Sequence, residues 1–571
     1  MGRHSESSNS DNDTENSKED NSSGNSDPFL GDYDTYLLSN LHPPYSRDSD
    51  RGGGHASGSP SNSHKLAAPR QSRIQMKMKP YMVIAVLAPI CGSSIPMGFN
   101  MGVLNMPQKF IRQWIQHCLL EQYNKVLTDN EEVILWTSVV STFLVGAMIG
   151  ALNCSSIADK IGRKKTFLLN HILCFIASTL FTVSAYVNYI EVFVIGRFLS
   201  GLCGGIASSL VPIYFSEVFP TQLKGVSGVI HVSGMSFGIL LSLIAGMNVI
   251  IGSESYWPLL SVITIVGSAG ALLVHPFITE TPSYSFLKIH SEEKTYNALQ
   301  KLRSNKNDIE VELSHLKELK AKNNSKSTDE DNWDLKRVLN TPKINILLLN
   351  VVILFGSQQL SGINGSWFYS SMIFALAGLK PMHSNLATIL ASTANWIMGS
   401  VSFLIARKFP RRILLLTSIT GCVLGLASKS ISLYFSQEHI LIPYISMVSF
   451  LIFILFFCLG LGPLPYIMAV ELMPEGPRSV ALSLGTSVMW SCNLIVSIAF
   501  PLLNYYLGSF SLLVFMSFLI CSGIYIFIFL PETFNTKQHT LENSKIKNNS
   551  IIVISSNEFE GKNEKKRKLE R

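Results

Sequence analysis

ILWTSVVSTFLVGAMIGALNCSSIADKIGRKKTFLLNHILCFIASTLFTVSAY, residues 134–186, is two long apolar runs joined by a short charged loop. The runs, Ile134–Cys154 and Thr166–Tyr186, each have about the 20 residues that an α-helix needs to cross a hydrocarbon core. Between them stand Asp159, Lys160, Arg163, Lys164 and Lys165. Cationic loops next to apolar spans stay on the cytosolic side of a membrane, so this stretch reads as a helical hairpin crossing out and back.

Working outward, the same pattern recurs. Apolar spans are expected at Tyr81–Met101, Val192–Val211, Gly225–Gly246 and Tyr256–Val274, and then at Ile344–Gly365, Leu386–Ala406, Ile413–Tyr434, Ile440–Val470, Val480–Leu502 and Leu512–Leu530. The fold class is therefore an all-α membrane protein of 12 transmembrane helices. A charged stretch rich in Glu, Lys and Leu separates the sixth span from the seventh and suits surface helices rather than a crossing. The expected organisation is a tail over residues 1–78, a six-helix bundle over 79–278, a linker over 279–343, a second six-helix bundle over 344–534 and a tail over 535–571. Both tails are polar and too poor in apolar surface to fold. No apolar run opens the chain, so no cleavable signal peptide is expected. Lys77 and Lys79, Lys224, Arg407 to Arg412 and Arg478 fall in alternate loops, which places both termini in the cytosol of a multi-pass protein, expected in the plasma membrane.

Composition agrees. Charged residues are only 15% of the chain, hydrophobic ones 47%, and the mean hydropathy is +0.27. A soluble domain carries about a quarter charged residues. The net charge of +7 is accounted for by basic loops and is not a nucleic-acid signal. The basic cluster Lys565 to Lys568 suits a tail near anionic lipid or a trafficking signal. Eight of the nine cysteines lie in apolar runs, leaving Cys118 without an external partner. No metal-spaced His/Cys cluster and no nucleophile–base set appears, so neither an enzyme nor a cofactor is implied.

Three loop motifs occur twice in the same order. Gly162-Arg163-Lys164 pairs with Pro410-Arg411-Arg412, Ser216-Glu217-Val218 with Val470-Glu471-Leu472, and Glu280-Thr281-Pro282 with Pro531-Glu532-Thr533. Each pair is roughly 250 residues apart. A constant offset means two halves of one design, the architecture of secondary transporters with a midplane site. Arg163 with Glu217, and Arg411 with Glu471, are then candidates for a latch that holds the halves together. Topological placement of these charges is the alternative.

At these residues the sequence resembles the sugar porters of the major facilitator superfamily, specifically the facilitative glucose transporters. The resemblance covers residues 81–534 and rests on Gly98 to Gln108, Asp159 to Lys164, Gly196-Arg197-Phe198, Gln358 to Asn364, Gly460 to Pro465, Glu475 to Arg478 and Pro531 to Thr533. It implies a sugar site in mid-bundle at Gln358, Gln359, Asn364, Asn395 and Asn493, with Trp490 and Tyr466 beside them. Amides both donate and accept and carry no charge, which suits a hexose. Bonding between helices is their other use in membranes. The aromatics either stack on the sugar or pack between helices. Gln358, Gln359 and Asn364 do not align on one continuous helix, so a break is expected near Gly362. Gly460, Pro463 and Pro465 mark a hinge for the inner gate, beside Arg478.

Proton-coupled relatives have an Asp where this chain has Asn100, which cannot titrate. His231 is the remaining titratable candidate and suits packing better. The reading is uncoupled transport of a hexose, D-glucose foremost. A sugar sensor, or a carrier of another polyol or dehydroascorbate, is the alternative. The chain departs from the family pattern at Val232, where a sugar-contacting Gln is usual, and at Tyr466, Cys458, Arg407, Phe368 and Ser283.

Overall fold

The computed structural model describes residues 79–220, 227–324, 333–368, 381–435, 442–474 and 476–533. The expected tails, Lys77, Lys224 and Glu475 lie outside these residues. Eleven helical stretches among the described residues are long and apolar enough to cross a bilayer. The last, Arg478–Phe529, has 52 residues, about twice what one crossing needs. It breaks at Gly508–Phe510, where Gly508 takes φ +54°, and so makes two crossings, Arg478–Leu507 and Ser511–Phe529. Divided there, the stretches among the described residues are consistent with twelve crossings.

In order the spans are Pro80–Gly102, Asp129–Ile161, Arg163–Val187, Ile190–Val218, Ser227–Ala245 and Trp257–Phe277 in the first half. In the second half they begin with Pro342–Leu360, continued by Ile363–Phe368, then Pro381–Ala406, Arg411–Tyr434, Tyr444–Leu472, Arg478–Leu507 and Ser511–Phe529. Short helices Pro282–Leu287, Glu292–Leu302, Lys306–Asn324 and Leu335–Asn340 occupy the linker. They lie on the face that carries Lys160, Arg163, Arg411 and Arg412, called here the basic face. Arg303 ties them to the core by donating to the Val218 carbonyl at 3.0 Å.

Small residues decide the packing. A methyl group on Gly146 or Gly150 would strike the carbonyl oxygens of Phe198 or Leu202. One on Gly201 or Gly205 would strike those of Phe143 or Ala147. The second and fourth spans therefore meet backbone to backbone through two facing small-xxx-small motifs. In a bilayer, where no water drives helices together, such close contact supplies the association. Gly98 and Gly238 bring the first and fifth spans equally close.

The repeated motifs have a structural reason. The Glu280 carboxylate accepts the backbone N–H groups of Arg163 at 3.0 Å and Lys164 at 3.2 Å, at the start of the third span. Glu532 accepts those of Arg411 at 2.8 Å and Arg412 at 3.0 Å, at the start of the ninth. Each carboxylate satisfies orphan donors and complements the positive end of a helix. The same device is used once in each half.

Candidate functional site

The seventh span breaks at Ser361–Gly362, where Gly362 takes φ +77°, a left-handed conformation that costs glycine little. The break aligns what a straight helix would splay. Asn364 Nδ2 donates to Gln359 Oε1, Gln359 Nε2 to Gln358 Oε1 at 3.4 Å, and Gln358 Nε2 to the Gly462 carbonyl at 2.6 Å. The three amides form one buried chain. It ends on the tenth span at a second irregularity, where the α-helix stops at Phe456, passes through a π-turn over Phe457–Leu461 and resumes at Leu464. Ser418 of the ninth span holds this junction, donating to the Phe456 carbonyl at 2.6 Å and accepting from the Leu461 N–H at 2.9 Å. Gly460 packs on Ser418, while Pro463 and Pro465 restart the helix.

On the eleventh span Asn493 is 1% exposed, yet neither its amide oxygen nor its nitrogen has a partner among the described residues. Ser497, one turn on, is buried with its hydroxyl equally unpaired. Trp490 precedes them on the same face. Its indole N–H donates to Ser208 Oγ at 3.1 Å and its ring meets Phe143 edge-on at 5.9 Å. Asn395 of the eighth span accepts from the Cys458 thiol at 2.8 Å, and Ser392, three residues before it, is buried and unpaired. Tyr466 packs between His231 and Phe355, with ring centroids at 5.6 and 4.8 Å, and donates to Met489 Sδ at 3.3 Å. Two polar atoms buried in hydrocarbon without partners are costly, and places of this kind are where polar ligands bind. Ser497 and Ser392 were missed in the sequence. Their i+4 and i−3 spacings from Asn493 and Asn395 were the available signal.

A seam of hydroxyls joins the halves. The Ser155 N–H donates to Ser483 Oγ at 3.0 Å, and Ser209 and Thr486 share a hydrogen bond at 2.5 Å. Ser487 donates to the Met148 carbonyl at 3.3 Å and Ser479 to Asp159 at 3.3 Å. Ser479, Ser483, Thr486, Ser487 and Trp490 form one stripe of the eleventh span. On the opposite face, Asn105 Nδ2 donates to the Trp367 carbonyl at 2.9 Å. The halves are tied at both faces.

The arginine–glutamate pairs do not make these ties. Arg163 binds Glu217 at 2.9 Å and Asp159 at 2.8 Å, all in the first half. Arg411 binds Glu471 at 3.2 Å, both in the second. Each of these ion pairs therefore lies within a single half. The loop after the second span is a neighbour of the fourth span in its own bundle, so each pair closes within one half. Asp159, through Ser479, extends the first network across to the second half. Arg478 donates to the Met473 carbonyl at 3.2 Å.

Asn100 donates to the Pro96 carbonyl at 3.0 Å, and its own carbonyl accepts from Arg197 at 2.9 Å. Arg197 lies 4.8 Å over the Phe143 ring. His231 Nδ1 lies 2.9 Å from Ser94 Oγ. Lys429, buried in the ninth span with Nζ 4.4 Å over the Phe450 ring and 3.5 Å from Ser366 Oγ, is a second interior cation that the sequence reading passed over.

Two six-helix halves packed around buried, uncharged polar groups define a multi-pass membrane carrier of the secondary-transporter type. Residues 85–544 match the model of the family described as sugar (and other) transporter. Member 1 of the solute carrier family 2 facilitated glucose transporters from Gallus gallus is 31% identical over 458 residues, 80% of this chain and 92% of the relative. Members 7 from Mus musculus and 5 from Equus caballus are 29% and 28% identical, over 80% of this chain and 89% and 90% of the relatives. The proton:xylose symporter XylE bound to 6-bromo-6-deoxy-D-glucose superposes with a TM-score of 0.68 at 20% identity, covering 79% of this chain and 96% of that one. Inward-open XylE from E. coli gives 0.61 at 19% identity, covering 80% and 98%. The chain belongs to the sugar porter family of the major facilitator superfamily, whose members are transporters and not enzymes.

Proposed function

We propose that this protein carries a neutral hexose, D-glucose foremost, down its gradient by alternating access, without a coupled ion. The observation that carries the reading is Asn493, an amide unpaired at both polar atoms inside the bundle. The linked amides Gln358, Gln359 and Asn364 exchange their mutual bonds for sugar hydroxyls, with Asn395 completing the set. Trp490 and Tyr466 supply apolar faces for the sugar's C–H groups.

Gln358 also gives the site a route to the gate. It bonds to Gly462 at the break in the tenth span, so a sugar that recruits this amide releases a carbonyl at the hinge formed by Gly460, Pro463 and Pro465. The hydroxyl seam then parts at the basic face. Arg163–Glu217 and Arg411–Glu471 keep the ends of each half rigid while it moves. The basic face is cytosolic and carries both termini, and the plasma membrane is the expected site. Asn100 supports uncoupled transport, since an amide exchanges no proton in a cycle. Dehydroascorbate or another polyol is the second substrate reading, and Cys458, whose thiol donates to Asn395, is the departure from the family pattern nearest these amides.

The test is uptake of radiolabelled 2-deoxyglucose in cells lacking their own hexose carriers, at two external pH values. Saturable, glucose-inhibited, pH-insensitive uptake is expected. Absence of flux with the protein at the surface refutes the reading and favours a sensor.

A further inference from the structure

A cavity of about 340 Å³ lies between the fifth and eighth spans, with the first span as its back wall. It falls in the size range of small-molecule sites, which are mostly apolar with a few placed polar groups. Ile90, Ile95, Val229 and Ile230 form its apolar side. Phe237 and Trp396, with ring centroids 5.3 Å apart, form an aromatic wall. Its polar groups are Ser233 and Ser400, whose hydroxyls lie 2.7 Å apart across the two halves. Leu87, Ile397 and Leu404, exposed on the flanking spans, mark this as a lipid-facing side. What enters comes from the bilayer.

Hydrogen accounting narrows the chemistry. Ser400 Oγ has the Trp396 carbonyl in reach as an acceptor at 2.8 Å, and either serine can donate in the Ser233–Ser400 bond. A hydroxyl has one donor and two acceptor lone pairs. When Ser400 bonds to that carbonyl, Ser233 donates to Ser400 and keeps its own lone pairs for a ligand in the cavity. The site asks for a hydrogen-bond donor. An ester carbonyl does not answer it, and a charged headgroup is ill suited to these walls.

We propose that this crevice binds a bilayer-dissolved apolar alcohol of sterol size, its hydroxyl donating to Ser233. Such an occupant touches the first and fifth spans of one half and the eighth span of the other. It stabilises the arrangement in which these spans are together, and so slows any cycle that parts them.

The experiment uses the full chain in phosphatidylcholine vesicles with a photoreactive cholesterol analogue, without sugar, so its outcome is independent of the transported substrate. Labelling of the segments that carry Ser233 and Trp396 is expected. Unlabelled cholesterol should compete roughly tenfold better than cholesteryl methyl ether, which has lost the donor. Ser233→Ala should erase that difference and Ser233→Thr keep it. Equal competition by the two sterols on the natural chain, or labelling only at other segments, overturns the proposal even where the Ser233→Ala variant fails to fold.

Discussion

Replacing Asn493 by Leu separates a binding role from a packing role, because the two predict opposite signs. The amide is 1% exposed, with oxygen and nitrogen both unpaired. Leaving a buried donor or acceptor unmade costs about 1–3 kcal/mol in a water-based reference. Unfolded helices in a membrane also find partners, which lowers such figures. A gain of about 2 kcal/mol for the empty protein is a fair expectation for a leucine of similar bulk. A bound hexose loses one or two hydrogen bonds in the same exchange. At about 0.5–1.5 kcal/mol each, that is roughly a 2–150-fold loss of affinity. Asn493→Leu should therefore melt higher than the natural protein in detergent, while taking up subsaturating hexose more slowly. Proximity of function and instability in one residue is the usual trade-off at a binding site. A variant that melts lower and transports normally would show that Asn493 serves packing, and would refute the reasoning.

Gln359→Ala breaks the amide chain at its centre and should weaken hexose uptake roughly tenfold at subsaturating sugar; unchanged uptake removes Gln359 from the site. Val232→Gln should raise glucose affinity, read as a lower half-saturation concentration, if a side chain there reaches the sugar. Ser483→Ala combined with Thr486→Val deletes two bonds of the seam, about 1–2 kcal/mol in a membrane. Opening at the basic face should rise roughly 5–30-fold, measured as faster alkylation of a Ser155→Cys variant; an unchanged rate would show that the seam does not hold the closed state. Burial pushes the Glu280 carboxyl above its ordinary value of 4.5, despite the N–H groups it accepts. The folded state then binds its proton more tightly than the unfolded state does. Stability from this group is present below pH 4.5 and lost as pH rises through the folded value. Glu280→Gln should flatten that slope in melting temperature as pH rises above 4.5, and an unaltered slope would assign it to other groups.

Much of the molecule was legible in the one-dimensional pattern. Apolar runs of bilayer length, basic loops in alternation and motifs repeated about 250 residues apart are local or periodic features. The break at Gly362 was legible for the same reason, since the amides around it cannot share a helical face without one. Tertiary structure decided the partners. Which groups reach across the halves depends on bundle neighbours, as Asp159 does through Ser479. The serines of the eleventh span look like ordinary polar residues in a helix until the second and fourth spans are laid against them. Lys429 stood in the expected span Ile413–Tyr434 and was passed over, whereas the crevice at Ser233 and Ser400 was invisible because the lone pairs a side chain has left depend on residues far along the chain. Sequence alone determined that this chain crosses a membrane in two matched halves, because hydrophobic length and charge act residue by residue. Where its polar groups are paired and where they stand empty is a property of contacts between spans, and only the folded bundle decided it.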